Sequence, residues 1–169
     1  RDVRVLDGGY AAWVAAGAPL TAAAPAIETS TVDVDFAPEA TADFAAVEAL
    51  RGDPGQRLVD ARAAPRFRGD VEPLDPVAGH VPGAINRPFA ENLASDGRFK
   101  PADALRAEWL RVLGEVAPEQ VVHMCGSGVT ACHNLLAMEH AGLQGSTLFA
   151  PSWSGWISDR RRPVALGDT

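Results

Sequence analysis

The chain has 169 residues, 47% of them apolar, and a formal net charge of −7. That length predicts one domain with room for a sizeable core, and the acidic balance argues against a nucleic-acid or anionic-membrane surface. Two cysteines only seven positions apart, Cys125 and Cys132, do not make a disulfide framework. No apolar run approaches a membrane span and no signal peptide is visible, so a reducing cytoplasm is the expectation.

The first residue is Arg rather than Met, which points to a fragment or a processed chain. Val3 to Leu6 reads as a strand, Asp7-Gly8-Gly9 as a turn, and Tyr10 to Ala16 as a short helix closed by Gly17 and Pro19. Such a pair cannot bury a core alone. It has an echo near the other end: Tyr10 and Trp13 align with Trp153 and Trp156, and a proline follows each pair, Pro19 and Pro163. A duplicated unit explains both the echo and the orphaned start. Residues 21–38 are rich in Ala, Pro and Thr and read as a linker.

Thr41 is read as a helix N-cap with Asp43 in the first turn, and Phe44, Val47 and Leu50 share one helical face before Gly52. Leu58 to Arg62 is a short buried strand ending in polar residues, and residues 64–68 form a helical turn that brings Arg66 and Arg68 near its end. Gly69 to Gly83 is expected to be an ordered loop, with Ile85-Asn86 entering a strand. Pro101 to Leu113 is the clearest helix, with Leu105, Trp109, Val112 and Leu113 as one apolar stripe. A strand over residues 147–149, a short aromatic helix and a polar tail from Asp159 complete the chain. Alternating strands and helices predict α/β architecture with a parallel sheet.

The stretch that organises the rest is Val121 to Leu136. Val121 to Met124 reads as a strand buried on both faces. Gly126 and Gly128 permit backbone conformations that a Cβ resists. From Thr130 a helix runs to Ala141, where Gly142 stops it. Cys125 therefore stands at a strand end just before a helix N-terminus, where loop N–H groups and the helix dipole favour a thiolate. The thiolate, not the thiol, is the nucleophile.

Cys125-Gly126-Ser127-Gly128-Val129-Thr130, followed by Ala131-Cys132-His133, resembles the active-site loop of the rhodanese superfamily of sulfurtransferases. It looks most like the 3-mercaptopyruvate branch, since the thiosulfate branch typically carries Arg-Lys where this chain has Gly126-Ser127. Leu58 to Arg62 resembles the family's Val-Asp-Ala-Arg strand, and Gly79 to Ala84 its Gly-His-Ile-Pro-Gly-Ala signature. The resemblance implies a rhodanese-like fold, a five-stranded parallel sheet flanked by helices. It also implies tandem domains of which only the second is catalytic. Residues 1–20 would then be the end of an N-terminal rhodanese-like domain, 21–38 the linker and 39–169 the catalytic domain.

The implied reaction moves a sulfane sulfur from 3-mercaptopyruvate through a Cys125 persulfide to a thiol acceptor such as thioredoxin, or to cyanide. Thiosulfate as donor, or a persulfide carrier without efficient turnover, are the alternatives. Cys125 and Ser127 are the candidate catalytic residues. Gly126, Gly128, Val129 and Thr130 are the candidate substrate-binding loop, whose amides stabilise the anionic sulfur. Arg66, in Arg-Phe-Arg-Gly, is the candidate for the donor's carboxylate, because a guanidinium fork matches it; the competing reading is a surface arginine. A second arginine that the family often carries before Gly79-His80 has no counterpart in Leu74 to Ala78. In that branch the serine acts with residues of the first domain, which this sequence does not contain. A cysteine phosphatase would need an arginine six positions after the cysteine, where this chain has Ala131. Asp60 and Arg62 are expected to orient the loop, His80 to steady a turn, His123 to sit in the core and Cys132 to pack in its helix. Trp153 and Trp156 are expected to wall or floor the site. No cofactor and no metal are expected, and no Walker or dinucleotide glycine loop is present.

Overall fold

A computed structural model describes residues 3–26, 29, 31, 33 and 37–168. The first two residues, part of the expected linker between residues 27 and 36, and the last residue lie outside that set.

Four parallel strands form the sheet: β1 (Arg57–Asp60), β2 (Ile85–Asn86), β3 (Val121–Met124) and β4 (Thr147–Leu148), in the order β2-β1-β3-β4. A fifth strand is expected from the family resemblance. Among the described residues four strands pair rather than five; beside β4 there is only a single parallel bridge, Thr41 to Leu148, with the Ala42 N–H donating to the Leu148 carbonyl at 2.9 Å.

Helices cover both faces, so the two central strands are buried almost throughout, with Leu58, Val59, Val121, Val122 and Met124 as their apolar residues. On one face α2 (Phe44–Leu50), α3 (Ala64–Arg68) and α6 (Ser152–Trp156) bury Val47, Leu50, Phe67, Trp153 and Trp156 against Leu58, Val122 and Met124. On the other, α4 (Ala102–Leu113) and α5 (Val129–His140) bury Leu105, Trp109, Leu113, Ala137 and Met138 against Val59 and Val121. The apolar stripe read from the sequence thus holds at Leu105, Trp109 and Leu113, while Val112 packs at the margin.

The chain leaves β1 for β2 on one side and returns to β3 on the other. The carboxyl ends of β1 and β3 therefore flank the point where strand order reverses, which is where open α/β sheets form a crevice. Ala61-Arg62 and Cys125 follow those two strands directly.

Several local expectations change. Asp43, not Thr41, caps α2: its Oδ1 accepts from the Ala46 N–H at 2.8 Å, because its side chain is three residues ahead of an unpaired helix donor. Residues 3–6 form no strand, having no sheet edge beside them; Val3, Val5 and Leu6 stay exposed. Helix α1 (Gly9–Ala15) buries none of its residues. One tie to the domain is the Phe99 N–H donating to Asp7 Oδ1 at 2.9 Å. The segment after Asp159 is not a free tail. Ala165 pairs antiparallel with His80 through two 2.9 Å bonds, and the Gly167 N–H donates to the Arg68 carbonyl. Among the described residues no helix is long and apolar enough to cross a membrane.

Candidate active site

The backbone of the cysteine loop is built for a tight reversal. Gly128 has φ +84, and a Cβ there would stand 2.7 Å from the Ala150 carbonyl oxygen, so only glycine fits. It precedes α5, a helix of 12 residues whose first N–H groups have no side-chain cap and face the loop. Cys125 is pinned from behind. Its N–H donates to Ser152 Oγ at 3.1 Å, and its carbonyl accepts from the Trp153 N–H at 3.0 Å. Ser152 is buried with φ +52, a conformation that a side chain rarely adopts, and its Oγ also donates to the Phe149 carbonyl at 2.9 Å.

Cys125 is only 2% exposed. Burial by itself pushes its thiol up, since it disfavours the charged form. The Thr130 hydroxyl and the N–H groups of Ala131, Ser127 and Thr130 hydrogen-bond the sulfur and outweigh that, holding the thiol below its ordinary value. Cys125 is thus set up as a thiolate stabilised by donors of the loop and the first turn of α5. Both cysteines are free. Cys132, expected to pack, is exposed on α5, with its S–H directed at the Gly128 carbonyl at 3.3 Å.

An open cleft of about 520 Å3 lies over Cys125, within the range of small-ligand sites. Gly126, Ser127, Val129 and Thr130 form one side of it, Arg62, Ala63 and Arg66 another, and Leu74, Asp75, Phe89 and Ser154 the rest. The structure therefore gathers Gly126, Ser127, Val129, Thr130 and Arg66 around one nucleophile. Gly128 stands just behind as the buried hinge. Ser127 is exposed on the cleft wall, and Val129 is 73% exposed at its rim. A smaller cavity of about 270 Å3, between residues 3–7 and Phe99, Leu136 and His140, has no cysteine on its wall.

Arg66 is not a free cation. Its Nη2 sits 2.6 Å from Glu72 Oε1 and 3.3 Å from Asp75 Oδ2, and its Nε donates to both Glu72 oxygens. Its Nη1, which the bonds named leave without a carboxylate partner, and its Nη2 both lie beside Gly126, 3.5 and 3.6 Å from where a Cβ on that residue would stand. Burial raises the Glu72 carboxyl, but the Arg66 fork and the N–H groups of Leu74 and Asp75 hold it below the usual carboxylate range. Arg68 turns away and pairs with Asp70.

Asp60 and Arg62 form a buried pair, Nη2 to Oδ2 at 2.7 Å, and the same Nη2 donates to the Gly79 carbonyl at 2.8 Å. They tie β1 to the Gly79-His80 turn; the bonds described for these two side chains run to each other, to that turn and to Glu72, not to the cysteine loop they were expected to orient. His80 hydrogen-bonds the Phe67 carbonyl through Nδ1 at 2.9 Å and stacks on that ring, a turn-holding role. His123 is fully buried beside Met138, and burial pushes its pKa down to about 3, so it stays neutral and is no proton shuttle. Trp153 lies fully buried beneath the cleft, with the Arg62 guanidinium 4.8 Å over its ring.

Three contributors escape the sequence reading: Ser152, Ser154 and Asp75. Ser152 sits in an aromatic run that reads as plain core, and nothing in the sequence signals its positive φ. Ser154 belongs to the short aromatic helix and Asp75 to the expected loop, and no local pattern relates the two; only folding places Ser154 Oγ 2.7 Å from Asp75 Oδ1. Among the described residues no three of His, Cys, Asp or Glu gather where they could hold a metal ion.

The family pattern described as "Rhodanese-like domain" matches residues 43–159. The chain is 51% identical, over 98% of its length, to a protein of Pseudomonas aeruginosa named "Probable 3-mercaptopyruvate sulfurtransferase". It is 43% identical, again over 98%, to the "Putative thiosulfate sulfurtransferase SseB" of Mycobacterium tuberculosis. It spans 58% of each of those two relatives. The fold matches the crystal structure of YnjE with a TM-score of 0.85 at 26% identity, covering all of this chain and 44% of that one.

Proposed function

We propose that this chain, which belongs to the rhodanese-like domain family, transfers a sulfane sulfur through a persulfide on Cys125. The observation that carries the reading is the buried sulfur ringed by the Thr130 hydroxyl and three N–H groups beneath an open cleft. A thiolate needs that ring, and so does the persulfide anion that replaces it.

With 3-mercaptopyruvate as donor, the Cys125 thiolate attacks the donor's thiol sulfur. The new S–S bond forms as the donor's C–S bond breaks, and that bond's electron pair leaves on carbon as the enolate of pyruvate. The proton carried on the donor sulfur moves to that carbon, leaving Cys125–S–S⁻ and pyruvate. An acceptor thiolate then takes the outer sulfur and returns the Cys125 thiolate. Ser127, exposed on the cleft wall, is the hydroxyl in place to hydrogen-bond the developing enolate oxygen. Arg66, by its Nη1 edge, is the cation in place for the donor's carboxylate. The names borne by the Pseudomonas and Mycobacterium relatives support a sulfurtransferase and divide between the two donors.

Thiosulfate is the second reading: the same thiolate takes its outer sulfur and sulfite leaves with the S–S electron pair. A carrier that holds one sulfur without turnover is the third. It is favoured by the occupied fork of Arg66, which leaves a donor few contacts on this chain alone.

Residues 1–20 are assigned to the end of an N-terminal rhodanese-like unit, 21–38 to a linker and 39–169 to the catalytic domain. The exposed apolar side chains of residues 3–14 support that division, since such a surface is normally covered. The partners proposed are that N-terminal unit, a small sulfur donor and a thiol acceptor such as thioredoxin. The compartment proposed is the cytoplasm, where thiols stay reduced.

The test is steady-state release of pyruvate from 3-mercaptopyruvate with a thiol acceptor. Turnover that requires Cys125 supports the enzyme. A single stoichiometric burst supports the carrier, and sulfite from thiosulfate at a higher rate supports the second donor.

A further inference from the structure

The charges around Cys125 do not make a simple anion trap. Arg62 is paired with Asp60 and Glu72, and Arg66 with Glu72 and Asp75. Two guanidinium groups thus meet three carboxylates, and the Cys125 thiolate adds a further negative charge. Asp60 and Glu72 lie behind the wall, with side chains 0% and 4% exposed. Asp75 is the carboxylate that lines the cleft itself.

Its position is fixed from two sides. Oδ1 accepts from Ser154 Oγ at 2.7 Å and Oδ2 lies 3.3 Å from Arg66 Nη2, both partners also lining the cleft. Ser154 Oγ is 2.9 Å from the Gly126 carbonyl as well, but the carboxylate is the nearer acceptor and the charged one, so the hydroxyl proton is assigned to it. Glu72 and Asp75 together occupy Nε and Nη2 of Arg66. The bonds named leave Nη1, beside Gly126, as half a fork for an incoming anion.

We propose that Asp75 is a specificity-determining residue that makes the cleft select singly charged sulfur donors over doubly charged ones. The proposal rests on the reading of Cys125 as the persulfide-forming nucleophile. A fixed carboxylate on the wall repels a donor in proportion to its charge. 3-Mercaptopyruvate arrives with one carboxylate and a neutral thiol, and half a fork serves one carboxylate. Thiosulfate arrives with two negative charges and departs as sulfite with two, so it meets the larger penalty on entry and at the bond-breaking step.

The test reads, by intact mass, the rate at which the full chain gains one sulfur from each donor. Wild type, Asp75→Asn and Asp75→Glu are compared at low and at high salt. Asparagine keeps an acceptor for Ser154 and removes only the charge. The expected result is a rise of about tenfold in the thiosulfate-to-3-mercaptopyruvate rate ratio for Asp75→Asn at low salt, the order set by one partly screened unit charge. High salt is expected to shrink the wild-type discrimination, and Asp75→Glu to keep it. A ratio that does not move, or moves towards 3-mercaptopyruvate, in an Asp75→Asn protein with wild-type circular dichroism overturns the proposal. So does an equal loss with both donors, which marks Asp75 as a mere loop anchor. Cys125→Ser separates the two levels. Loading that survives it overturns the underlying reading. Loading that vanishes with it while the ratio ignores Asp75 overturns only the role of Asp75.

Discussion

Cys125 and Cys132 are the same residue seven positions apart on one strand–loop–helix unit, and they sit in opposite chemical settings. Cys125 is buried, with its sulfur receiving a hydroxyl and three N–H groups. Cys132 is exposed, and its sulfur donates to a carbonyl instead of accepting. Accessibility alone would favour Cys132 as the reactive thiol. The comparison teaches that the nucleophile is chosen by which charge state the surrounding groups favour, because burial without donors would suppress the thiolate and burial with them stabilises it.

The largest effect that sharpens this contrast is on turnover. Cys125→Ser is expected to abolish sulfur transfer, and Cys132→Ser to leave its rate within about twofold, as for surface substitutions away from a site. A steady-state assay with both variants decides it. Next comes the hinge that makes the ring of donors possible. Gly128→Ala forces a Cβ to 2.7 Å from the Ala150 oxygen at φ +84. It is expected to cost about 2–4 kcal/mol of stability, from left-handed strain and displacement of α6. Thermal unfolding measures the loss, and slowed alkylation of Cys125 shows the loop opening with it.

Thr130→Val keeps the N–H of residue 130 and removes the hydroxyl. In a Cys132→Ser background, the iodoacetamide rate at pH 7 is expected to fall by about tenfold, the worth of one hydrogen bond to a charged group. An unchanged rate would break the comparison, since donors to the sulfur would then not set its ionisation. The smallest effect is on stability against pH. The folded thiol lies below its ordinary value, so the folded state releases that proton first as pH rises. Between the folded value and the unfolded value of about 8.5, the unfolded chain binds more protons and stability climbs with pH. The contribution is complete above that range and is lost as pH falls through the folded value. The stability difference between wild type and Cys125→Ser is therefore expected to grow from neutral pH towards pH 9, measured by urea unfolding.

Much of this was legible in the residues. The cysteine loop, the helix-stop glycine Gly142 and the apolar stripe of α4 all follow from local rules that packing respects. The Asp60–Arg62 pair could be read because both residues end one strand. What escaped the sequence was long-range or rotameric. Ser152 reaches Cys125 across 27 positions, and its positive φ has no sequence signal. Ser154 meets Asp75 across 79 positions. Arg66 was visible as a cation near the strand end, but its charge is compensated by Glu72 and Asp75, which lie in a loop whose path no periodicity fixes. Residues 3–6 carry a strand pattern and form none, because a strand needs an edge to pair with.

The most direct test of the nucleophile's identity is peptide mapping by mass after incubation with a sulfur donor and trapping of the product with an alkylating agent. One added sulfur on the peptide at Cys125, absent from Cys125→Ser and unaffected by Cys132→Ser, is the result expected. A sulfur found on Cys132, or retained in Cys125→Ser, would contradict the assignment.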